Sequence, residues 1–151
     1  MHPLVVAFLL LAQQASTTNL AITGAESATF ASSDANACFV DDSNALHAQL
    51  TDPSSGIILS FRVLGTPGDH PARDQLTALT LDGPPDDAFV NWSAAGGTVS
   101  LDDLSATVPV ELGDSSVRAS THGVMGHIDA ELSSNLGSMH VSGAFACHRP
   151  D

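Results

Sequence analysis

The sequence predicts an all-β domain, an antiparallel β-sandwich or partly open barrel, closed by one disulfide. Three observations predict it. Short stretches of alternating or β-branched apolar residues recur along the chain, and no window keeps a helical period. Clusters of Gly, Pro, Asp, Asn and Ser punctuate them. Two cysteines, Cys38 and Cys147, stand near the two ends of this region, and an even count in an exported chain reads as a disulfide.

The first element is an export segment. Leu4 to Ala12 is an uninterrupted apolar run followed by small and polar residues. Nine helical residues span only ~13 Å, less than half of a bilayer's hydrocarbon core, so the run fits a signal-peptide h-region and not a membrane span. The expected division is a signal peptide over 1–15, with cleavage between 15 and 17, and a single β domain over 19–148. No cysteine ends the apolar run to carry a lipid, so the mature protein is expected in the secreted, periplasmic or cell-envelope space without a tether.

The strands are expected, in order, at NLAIT, SATFAS, ANACFV, ALHAQLT, GIILSFRVLG, QLTALTLD, DAFVNWSA, GTVSLDD, ATVPVEL, VMGHIDAEL and SMHVSGAFAC. Between them lie the turn signals SSDA, DDSN, DPSSG, GTPGDHPARD, DGPPDD, AAGG, GDSS and SSNLG. In ALHAQLT the alternation puts Leu46, Ala48 and Leu50 inward and Ala45, His47 and Gln49 outward. Ile57, Leu59, Phe61 and Val63 continue the core, with Arg62 pointing away. Trp92 is expected in the core, although Asn91-Trp92-Ser93 also matches a glycosylation sequon with an unfavourable bulky centre.

The C-terminal hairpin has its register set by pattern alone, because a slip of one residue would move every apolar side chain to the wrong face. Ile128, Ala130 and Leu132 must share a face with Met139, Val141, Phe145 and Cys147. That pairs Leu132 with Met139 and Ala130 with Val141. Glu131 then stands across from His140.

This register yields the one candidate metal site. Directly opposed residues have Cβ atoms ~5 Å apart, and i, i+2 neighbours on one strand lie ~7 Å apart. Asp129, Glu131 and His140 could therefore meet on one ion, and three such ligands could hold zinc with a water in the fourth position. His127 shares their face but stands ~13 Å from Glu131, too far to join. The blander alternative is a solvated sheet face with a Glu131–His140 pair worth well under about 1 kcal/mol.

Charge excludes other classes. Seventeen Asp and Glu face four Arg and no Lys, a formal net charge of −13, which repels phosphate backbones and argues against nucleic-acid binding. The acids are scattered through turns, which reads as solubility. GDSS at Gly113 to Ser116 begins like the first block of GDS-type esterases, but no Asp-x-x-His follows it, and it reads as a turn. The absence of any His-x-His likewise excludes a copper/zinc superoxide dismutase site. With no Tyr and a single Trp, an aromatic sugar-binding platform is not expected.

The segments ANACFV, ALHAQLTDPSSGIILSF and VSGAFAC together resemble the small secreted lipoprotein antigens of mycobacteria. The resemblance implies a β-sandwich packed on a short helix, displayed at the envelope, without an enzymatic site. The chain departs from it in lacking the lipid-bearing cysteine. The leading functional expectation is a non-enzymatic exported protein that binds a partner protein or small apolar ligand without a cofactor. The alternatives are a metal-binding protein or metal-dependent hydrolase using Asp129, Glu131 and His140, and a structural surface protein.

Overall fold

The computed structural model describes residues 18–32, 38–84, 88–104, 107–112, 115–120 and 124–147, with only the backbone described for 107–112 and 115–120. The expected signal peptide lies outside these residues. The strands are β1 Thr18–Gly24, β2 Ala28–Ser32, β3 Cys38–Val40, β4 Ala45–Thr51, β5 Ile58–Leu64, β6 Gly68–Pro71, β7 Thr80–Asp82, β8 Trp92–Leu104, β9 Thr107–Leu112, β10 Ser115–Ser120, β11 Val124–Ser134 and β12 Gly137–Cys147. No helix occurs among the described residues, so the short helix that the resemblance implies has no counterpart there.

All twelve strands belong to one antiparallel sheet in the order β2-β1-β12-β11-β8-β7-β5-β4-β3-β10-β9, with β6 also paired to β8. A single sheet can bury one face only by curling on itself, and the result is a half-barrel, the partly open alternative. Three contacts draw it round. Cys38 on β3 is bonded to Cys147 on β12, with Cα atoms 5.7 Å apart. Phe61 on β5 meets Phe145 on β12 edge to face, ring centroids 5.1 Å apart. The buried Asp52, in the turn between β4 and β5, accepts a hydrogen bond of 3.1 Å from the backbone N–H of Ala31 on β2.

The apolar alternation of each strand supplies the inner face. Leu20, Ile22, Phe30, Leu46, Leu50, Leu59, Leu81, Val99, Ile128, Leu132 and Val141 are all buried in one cluster with the two cysteines. The C-terminal hairpin keeps the expected register, with Ala130 paired to Val141, Glu131 to His140 and Leu132 to Met139. Trp92 is fully buried, and its indole N–H donates to Ala88 O at 2.8 Å, which removes the cost of burying that donor. Thr18 is also buried, and its hydroxyl both donates to Ala146 O and accepts from Ala146 N–H, pinning β1 against β12.

Several strand expectations are corrected. QLTALTLD is a strand only over Thr80–Asp82, because Asp74 Oδ1 accepts from Leu76 N–H and Thr77 N–H, both at 2.8 Å, and closes a turn there. DAFVNWSA and GTVSLDD are not two strands joined at AAGG. Ala88–Asn91 is turn, and Trp92–Leu104 runs through both glycines as one long strand. Gly97, at φ +104°, sits near a register shift against β11, and a Cβ there would stand 2.5 Å from Ala130 Cα. The glycines thus bend β8 as a bulge does. GTPGDHPARD contains β6, and SSVRAS forms β10, neither of which was expected as a strand. The GDSS stretch does lead into a hairpin, since Leu112 pairs with Ser115; Gly113 and Asp114 lie outside the described residues. Ala45, expected outward, is buried where its N–H and C=O both bond Asp41.

Candidate functional site

Asp129, Glu131 and His140 do converge on the outer face of the C-terminal hairpin. His140 Nδ1 lies 2.6 Å from Glu131 Oε1, and its Nε2 lies 2.7 Å from Asp129 Oδ1. The cross-strand register delivers Glu131, and the i, i+2 spacing along β11 delivers Asp129. The two carboxylates take opposite edges of the imidazole ring. Both ring nitrogens are thus already engaged by carboxylate oxygens. Zinc would need one ring nitrogen as a lone-pair donor, with a carboxylate moved to that same edge. Among the described residues no group of three or more His, Cys, Asp or Glu side chains is placed to hold a metal ion. His127 pairs with Asp102 on β8.

A second site lies on the outer face of β4 and β5. An open groove of about 640 Å3 is lined by the outward side chains His47, Gln49, Thr51, Ser60 and Arg62 and by backbone around Ala48 and Phe61. The floor follows from strand pairing, since His47 stands across from Arg62 and Gln49 across from Ser60. Phe39 on β3 continues the row, paired with His47 and stacked parallel on its ring at 4.6 Å. The opposite wall is Thr77, Ala78 and Thr80. It rises there because the ladder between β5 and β7 runs only from Ile58 to Ser60, and the chain before β7 doubles back at the Asp74–Thr77 turn. Backbone N–H groups of Leu76 and Thr77 hold the Asp74 carboxyl below the usual carboxylate range.

One end of the groove is organised by Asp41. Its Oδ2 bonds His47 Nε2 at 2.7 Å, while Oδ1 accepts from Ser43 N–H, Ser43 Oγ and Ala45 N–H at 2.9, 2.7 and 3.0 Å. The His47 bond, then the Ala45 and Ser43 bonds, hold the Asp41 carboxyl far below the ordinary carboxylate range, so it stays ionised. The ring of His47 is thereby fixed against Phe39. Arg62 reaches the same Oδ2 with one guanidinium nitrogen at 3.8 Å, and its side chain is 43% exposed.

The outward alternation of ALHAQLT and LSFRV already displayed the floor of this groove in sequence. The wall was hidden, because Thr77 to Thr80 were assigned to a continuous strand. Asp41 was hidden too, reading as one more turn acid. Comparison with family models, curated proteins and solved structures gives no match to this chain.

Proposed function

We propose that the protein is an exported, non-enzymatic binding protein whose recognition surface is the groove across β4 and β5. The observation that carries this is the groove itself, a concave surface of ligand size lined by apolar and polar groups together, which is how small-molecule sites are built. Its floor lies on paired strands and its aromatic end is held by the Asp41–His47 bond, so the surface is formed before a ligand arrives. The disulfide and the apolar N-terminal run support export.

Native mass spectrometry of protein purified from its own culture fluid tests the reading. A small-molecule adduct is expected on the wild-type protein and not on Ser60→Trp, which fills the groove. Bare wild-type protein under conditions that preserve weak complexes contradicts it, as does an adduct that survives in Ser60→Trp.

A further inference from the structure

We propose that the groove binds a small monocarboxylate with an apolar body, its carboxylate anchored on the guanidinium of Arg62. This rests on the groove being the ligand surface.

In a chain of net charge −13, Arg62 is the one guanidinium among the described residues that lines the groove. The guanidinium offers five N–H donors in a planar fork matched to a carboxylate. Its ion pair with Asp41 is one contact at the 3.8 Å limit. Asp41 does not need it, because its two oxygens already take His47, Ser43 and Ala45. The fork is therefore held near the groove with most of its donors uncommitted to that acid. Asp74 also feels the Arg62 charge, but its Oδ1 is turned to the N–H groups of Leu76 and Thr77, and acids beyond ~8 Å oppose an anion weakly because exposed charges are largely screened there at physiological salt.

The same geometry sets the charge of the ligand at one. A phosphate dianion would face Asp41 beside a single fixed cation, whereas a carboxylate matches one fork and one charge. The apolar side chains of the lining are Phe39 and Ala78, set among hydroxyl and amide groups, while the buried Ala48 and Phe61 contribute backbone only. A small apolar chain or ring fits against Phe39 and Ala78, and the Phe39–His47 stack gives it a flat edge.

The test is a titration, followed by backbone amide shifts, of phenylacetate and octanoate against their uncharged amides, phenylacetamide and octanamide. Wild-type protein is expected to bind the acids with shifts at Phe39, His47, Ser60 and Thr80, and the amides about ten-fold or more weakly. Arg62→Met is expected to lose about ten- to a hundred-fold in acid affinity, the range of a charge-assisted hydrogen bond, while amide affinity is unchanged. Arg62→Lys keeps the charge but not the fork and should fall between. Equal binding of acids and amides in the groove overturns the carboxylate assignment and leaves the groove as a ligand surface. If no probe shifts the groove residues, both readings fall.

Discussion

Two turn carboxylates, Asp41 and Asp52, each gather several hydrogen bonds that the folded chain supplies. Asp52 is buried, which alone would raise its pKa, yet bonds from the Ser54 hydroxyl and from the N–H groups of Ala31, Ser54 and Ser55 outweigh that and lower it. A carboxyl whose folded pKa lies below its unfolded value contributes stability at pH above about 4, and that stability is lost as pH falls through the folded value. Asp41 acts in the same direction. Asp52→Asn should therefore cost about 1–3 kcal/mol at neutral pH, and the gap to wild type should close in acid. Urea unfolding at a series of pH values checks this, and parallel wild-type and variant curves would refute it. At this scale the sequence was legible where pattern decides. Inward Leu46, Leu59 and Ile128, and outward His47 and Arg62, follow from alternation. Asp52 and Asp41 were not legible, because a turn acid that bonds a distant strand or ring looks the same in sequence as one that meets only water.

At the scale of elements, the long strands owe their curl to glycine. Gly126 on β11 is paired with Phe145, and a Cβ there would stand 2.1 Å from the Ser100 backbone oxygen on β8 and 2.6 Å from the Phe145 ring. The ring lies over that bare backbone on its way to Phe61. Gly126→Ala is expected to push β8 and the Phe145 ring away and lower stability by about 1–3 kcal/mol, the usual cost of overpacking. Chemical denaturation measures the loss, and the ring-current shifts of Phe61 should change with it. The AAGG stretch shows why β8 was misread. Gly-Gly between two apolar runs signals a turn as well as a bulge, and only the pairing of β8 with β11 on one side and with β6 and β7 on the other decides between them. Strand β6 was missed for a related reason. Gly68–Pro71 has no apolar alternation and exists because β8 offers it a ladder.

Across the whole molecule, closure rests on few links. The Cys38–Cys147 bond spans 109 residues, and by the loop-entropy argument it stabilises the fold by about 4 to 5 kcal/mol. Cys38→Ser with Cys147→Ser should lower the urea midpoint accordingly, and unreduced, unfolded wild-type protein should show no reactive thiol. The net charge of −13 adds a general self-repulsion that salt screens. Thermal stability should accordingly rise between about 0.01 M and 0.15 M sodium chloride, over which the Debye length falls from about 30 Å to 8 Å. The all-β class and the disulfide were legible in the chain, since periodicity and cysteine count are local signals. The choice of a curled half-barrel over a sandwich was not, because it depends on long-range pairings such as β12 with β1 and β3 with β10.

The groove across β4 and β5 is the central functional claim, and the most direct measurement is a backbone amide shift map of the wild-type protein titrated with a panel of small apolar acids, amides and alcohols. Saturable shifts are expected on Phe39, His47, Gln49, Ser60, Arg62, Thr77 and Thr80, with the outer face of β11 and β12 unmoved. Shifts gathered instead around Asp129, Glu131 and His140, or no saturable shift in the groove with any probe, would contradict it.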